Sequence, residues 1–169
     1  KGLSYPFRLE EPYATILSDV RDEANRQVEA MCGKLNELLR RKNCDFELDL
    51  KQITDELTKG QVRERHLAKA LRISVYDACD NDETRIKELL ELLFDGKTLK
   101  SSVDNHAAVE NEIRGNLLKA GGAAFVPEEA TAFLPMETVQ KIIIAAGGIP
   151  TYPFLADDAN GNYTDFEND

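Results

Sequence analysis

Tryptophan is absent from this chain of 169 residues, and only two histidines and three cysteines are present. His66 and His106 stand far apart and form neither an HxH nor an HExxH spacing, so the chain by itself lacks the ligand set of a complete metal site. Cys32, Cys44 and Cys79 are an odd, scattered set. They read as reduced thiols of a cytoplasmic protein rather than as a disulfide framework or a zinc site. No apolar run approaches the roughly 18–20 residues of a membrane span, so no membrane partner is expected. No Ser–His–Asp or Cys–His arrangement can be traced, and no catalytic residue is assigned. Gly147-Gly148 lacks both the GxGxxG spacing and a following helix, and reads as a helix stop rather than a nucleotide loop. The chain starts at Lys1 with neither an initiating Met nor a secretory leader, from which we expect a piece of a longer protein.

What is present points to a globular helical protein. Hydrophobic residues make up 42% and charged residues 31%, within the range of an ordinary domain rather than a disordered segment. Thirty-one acidic against 21 basic residues give a net charge of −10. A surface of that sign repels phosphate backbones, so nucleic acid is not an expected partner of this chain alone.

Apolar periodicity predicts the helices. Leu17, Val20, Ala24, Val28, Met31, Leu35 and Leu38 recur every three or four residues and predict one long helix over Ala14–Arg41. The break at Asn43–Leu48 precedes a capping-box-like Asp49 and Gln52, which opens a short helix carrying Leu50, Ile53 and Leu57 and stopping at Gly60. Further helices are predicted over Val62–Asp77, Glu83–Phe94 and Asp104–Ala120, the last stopping at Gly121-Gly122. Another covers Met136–Ala146. Ala123–Val126 and Ile149–Leu155 read as short strands, the latter at an edge because of Pro150 and Pro153. The expected fold is mostly α: an orthogonal, bundle-like helical domain with a small β element near the C-terminus.

Four segments occur in an informative order: NELLRRKNCDFELDLKQI (Asn36–Ile53), RERHLAKAL (Arg63–Leu71), ELLFDGKT (Glu91–Thr98) and FLPMETVQKIIIAAGGIPTYP (Phe133–Pro153). The order resembles the helical insertion of the PHP superfamily of metal-dependent phosphoesterases, followed by the helix, paired glycines and strand through which those proteins return to their barrel. His66 matches the motif histidine of the insertion, Ala145–Gly148 the glycines at the helix end, and Pro153 the proline after the family's strand histidine. Tyr152 stands where that histidine would be, and Arg63 and Arg65 stand at or near the glycine and proline that precede the motif histidine.

The resemblance implies that residues 1–169 are a single domain or an excised fragment. Residues 14–120 would form the insertion, and 121–169 the piece returning toward a barrel-like parent domain. It implies a cap that shapes access for a phosphate-ester substrate, with the rest of the parent chain as its partner. Divalent metal ions would be held by that parent, and this chain alone would be inactive. Within the basic segment, Arg65, His66 and Lys69 are the expected substrate-contacting residues, with Arg72 following at one-turn spacing. An ordinary solvated helix face with Glu64 as a partner is the simpler reading of the same residues. A second functional reading is a non-catalytic α-helical interaction module, in which the long helix serves a partner or a second copy. Ala156–Glu167 approaches a calcium loop, but Ala156 occupies the first ligand place, which favours a turn with an Asn-Gly corner.

Overall fold

The structure, a computed structural model, describes residues 9–58, 61–129 and 133–151. The protein is mostly α-helical. In chain order the helices are α1 (Tyr13–Arg41), α2 (Leu50–Leu57), α3 (Glu64–Ala78), α4 (Glu83–Leu93), α5 (His106–Ile113) and α6 (Met136–Ala145). A π-helical segment, Arg114–Leu118, continues α5. The chain divides into two compact units. One is Ile16–Phe133; the other draws on both ends, Lys1–Thr15 and Leu134–Asp169.

The larger unit is built around α3, which packs against α2, α4, α5 and the π-helical segment. Its sequence has few exposed positions to spare: Leu67, Ala68, Ala70, Leu71, Val75 and Tyr76 are all buried. They meet Ile86, Leu90 and Leu93 of α4, Val109 and Ile113 of α5, and Leu117 and Leu118 beyond it in one continuous core. The second half of α1 closes that core with Val28, Met31, Cys32, Leu35, Leu38 and Leu39. Each fully buried Leu or Ile contributes about 1.5–3 kcal/mol of transfer free energy, so this α3-centred cluster dominates the unit's stability.

Local signals set the helix ends. The Asp49 carboxylate accepts from the N–H groups of Lys51 (2.7 Å) and Gln52 (3.1 Å), which satisfies two of the orphan donors of α2. Asp82 caps α4 by accepting from Arg85 N–H at 2.8 Å. Helix α1 closes at Asn43, whose left-handed backbone lets Cys44 N–H donate back to the Leu39 carbonyl at 3.0 Å.

In the smaller unit Gly147 plays the same part for α6. At φ +67° it turns the chain so that Gly148 N–H reaches the Ile143 carbonyl at 2.8 Å, a conformation that costs a glycine little. This is the helix stop expected of the Gly147-Gly148 pair.

Three expectations need correction. Ala123–Val126 is not a strand. Ala124 N–H is taken by the Leu117 carbonyl (2.8 Å) and Phe125 N–H by the Gly122 carbonyl (3.1 Å), so turn bonds use the donors a ladder would need. The helix expected from Asp104 begins at His106, because the Asn105 side chain caps it by accepting from Ala108 N–H. Residues 149–151 are irregular, and Tyr152–Leu155 of the second expected strand lie outside the described residues, as do Gly60 and the 156–167 segment. No helix among the described residues is long and apolar enough to cross a membrane.

Candidate functional site

The RERHLAKAL segment forms the first half of α3, and its first turn is unusually constrained. Arg63 precedes the helix in an extended conformation. Its backbone N–H donates to His66 Nδ1 at 3.0 Å, while its carbonyl accepts from His66 N–H at 2.8 Å. The histidine thus does at the third helical position what Glu or Gln does in a capping box, reaching back to a donor that the helix cannot satisfy. His66 is half-buried. Burial, and then the positive charges of Arg65, Arg63 and Lys69, push its imidazole below the ordinary value for histidine.

Glu64 anchors the same turn from the other side. Its Oε1 accepts from Arg114 Nη2 (2.6 Å) and lies 2.8 Å from Lys119 Nζ. The anchor therefore joins the start of α3 to both ends of the π-helical segment. Burial alone would raise the Glu64 carboxyl, but the hydrogen bonds and charges of Lys119 and Arg114 outweigh it and hold the group below its usual range. A carboxylate in the first turn also suits the positive end of the helix.

The expected site residues separate into two groups. Arg65 and Lys69 are exposed and lie one turn apart, and His66 sits beside Arg65, with Arg65 Nε 3.4 Å from His66 Nε2. Arg72 does not extend this face. It is buried, donates from Nε to Glu110 Oε1 at 2.9 Å, and lies over the Tyr76 ring at 5.3 Å. Tyr76 in turn donates its hydroxyl to the Val103 carbonyl at 2.6 Å and meets the His106 ring edge-on. Arg72 and His106 are thus structural members of the α3–α5 contact.

A cavity of about 360 Å3 opens beside the first turn of α3. Arg63, Glu64 and Lys119 line it together with Val20 and Ala24 of α1 and with Phe133. The segment that leads out of the larger unit runs along α1: Gln27 Nε2 donates to the Val126 carbonyl at 2.9 Å, and Lys34 Nζ to the Phe125 carbonyl at 2.7 Å. The 125–126 stretch is thereby tied to the middle of α1, and Arg63 and Glu64, in the turn that bears His66, border the cavity.

The roles of Arg114 and Lys119 escaped the sequence reading. An acid at the start of a helix was visible, but its partners lie about 50 residues downstream in a helix whose pitch the pattern does not reveal. Among the described residues no group of three or more His, Cys, Asp or Glu side chains is placed to hold a metal ion. Comparison with family models, with curated proteins and with solved structures found no match to this chain.

Proposed function

We propose that residues 16–133 are an inserted helical cap of a PHP-type metal-dependent phosphoesterase, and that the exposed face of α3 carrying Arg65, His66 and Lys69 meets a phosphate-ester substrate. The observation that carries this reading is topological. The larger unit is flanked by two stretches that belong to one other unit, the arrangement of an inserted domain. Arg63 and Glu64, at the start of α3 next to that face, line the same cavity as Val20 and Phe133. A cation-bearing face in that position is where a cap would approach a host's active site. An arginine, a lysine and a histidine donor are chemically suited to phosphate oxygens. In this reading the metal ions that activate water belong to the host.

The test is kinetic and uses the full-length protein. Arg65→Ala and Lys69→Ala are expected to raise KM for a phosphate ester about tenfold each, with kcat nearly unchanged, because they remove binding contacts rather than chemistry. A full-length protein without divalent-metal-dependent phosphoesterase activity would overturn the cap reading. An active one whose KM ignores both substitutions would remove the proposed contact face.

A further inference from the structure

The described residues of the smaller unit leave one side of α6 open. Ile142 and Ala146 are buried on the opposite side. Around the next sector of the helix the side chains stay apolar but lose their cover. Ile143 is half-buried, Val139 and Met136 are exposed, and Ile144 is 63% exposed. Met136, Gln140, Ile143 and Ile144 stand at i, i+4, i+7 and i+8, which places them on one stripe. Ile149, just beyond the helix, is 79% exposed. A continuous apolar stripe of this kind is a surface for another element to cover.

Two charged residues identify that element. Glu137 and Lys141 are exposed, and each follows a stripe residue by one position, so they border the stripe along one edge, a turn apart. A two-fold axis lying in the plane of contact and crossing the helices makes two copies antiparallel and keeps like edges together. Sequence positions then run in opposite directions. An axis at the level of Val139 sets Glu137 of one copy against Lys141 of the second, and the symmetry repeats the pair. The same register seats Met136 beside Ile143 and Ile144 of the second copy. Gln140 lies near the centre against its own mate, where an amide can both donate and accept. A parallel pair would instead set the charged edge against the apolar edge at Val139.

We propose that α6 docks antiparallel on α6 of a second copy of this chain, through Met136, Ile143 and Ile144, with a Glu137–Lys141 pair at each end of the contact. One helix face is smaller than the roughly 1,200–2,000 Å2 of a stable interface, so the dimer is weak, with a Kd of about 100 µM. The inference does not use the phosphoesterase reading and stands or falls without it.

Sedimentation equilibrium of the 169-residue chain tests it. The average mass should rise from monomer toward dimer between about 10 µM and 1 mM, the range that brackets this Kd. A chain that stays monomeric throughout overturns the inference and leaves the face to a different partner. Met136→Ser and Ile144→Ser change exposed side chains, so they should leave the circular dichroism unaltered and weaken association about tenfold each. Leu92→Ser, at an exposed position on α4, should leave association unchanged.

Charge reversal reads the register. Glu137→Lys and Lys141→Glu should each weaken self-association about tenfold, because like charges then face one another twice. Mixed together, the two variants should pair with each other at native strength, and Glu137→Lys combined with Lys141→Glu should restore the native mass. Association that ignores the single reversals, that fails to return in the combinations, or that Leu92→Ser abolishes overturns the assignment.

Discussion

The carboxamide of Asn36 pairs with both backbone groups of Leu48. Its Nδ2 donates to the Leu48 carbonyl at 2.9 Å, and its Oδ1 accepts from the Leu48 N–H at 2.8 Å. In effect a side chain of α1 serves as one rung of a β-ladder for the link into α2, and fixes where buried Leu48 enters the core. Asn36→Ala leaves the Leu48 N–H without its partner and the Leu48 carbonyl with the weaker Cys32 thiol contact at 3.7 Å, and should cost about 2 kcal/mol. Asn36→Asp should cost at least as much, since it replaces a donor by a carboxylate facing a carbonyl. Urea unfolding followed by circular dichroism measures both. A change within a few tenths of a kcal/mol in either would show that water replaces the pair freely.

Two glycines should respond to alanine with opposite signs. A Cβ on Gly122 would lie 2.4 Å from the Leu117 carbonyl carbon, inside backbone that cannot yield cheaply. Gly122→Ala should therefore destabilise by about 3 kcal/mol, at the upper end of overpacking costs. Gly33 is inside α1, and a Cβ there meets nothing within 4 Å. Gly33→Ala should stabilise by about 0.5–1 kcal/mol through helix propensity alone. Thermal melts of the two variants check the pair.

Protonation of His66 should weaken the fold. Its folded value lies below the ordinary 6.5 of the unfolded chain, so the unfolded state takes up the proton more readily. The stabilisation is complete above the unfolded value and is lost as pH falls through that value toward the folded one. Protonation also removes the acceptor for Arg63 N–H. Glu64 and Glu112 are both held below their ordinary 4.5, Glu112 because Lys100 and Ser101 N–H groups outweigh its burial. Their contribution is present above 4.5 and disappears at more acid pH, so the windows separate. Unfolding midpoints measured across the histidine range should fall with pH in the native chain and lie flat in that range for His66→Gln. An equal slope in both would assign the effect elsewhere.

Arg72→Ala should destabilise by about 3 kcal/mol, since it strands the Glu110 carboxylate in a partly buried contact. Arg72→Met combined with Glu110→Leu should recover most of that loss, because the paired desolvation cost disappears with the pair. A double-mutant cycle on unfolding free energies decides it.

The helices were legible because their signals are local. The α1 stripe, the Asp49 cap and the Gly147-Gly148 stop each depend on residues within a few positions of one another. The stripe was misleading at its start: Leu17 has the right spacing but is 43% exposed, whereas Cys32 and Leu39, off the expected line, are buried. A helix pattern shows which residues share a face and says nothing of how far the packed partner extends. Arg72 illustrates the complementary limit. Its spacing from Arg65 and Lys69 suggested a common basic face, but Glu110, on another helix, turned it inward. The expected strand at 123–126 failed because Gly122 and Leu117 offered nearer hydrogen-bond partners than any second strand. In the candidate site, the three residues were visible from sequence. That Nδ1 of His66 is already engaged needed coordinates.

The bonds from Gln27 and Lys34 of α1 to the carbonyls of Val126 and Phe125 have a mechanical consequence. They cinch the 125–126 stretch, which leads toward the end of the larger unit, to the helix that opens it. Tension on the chain beyond Val126 would load these side-chain clasps before it reached the leucine core around α3.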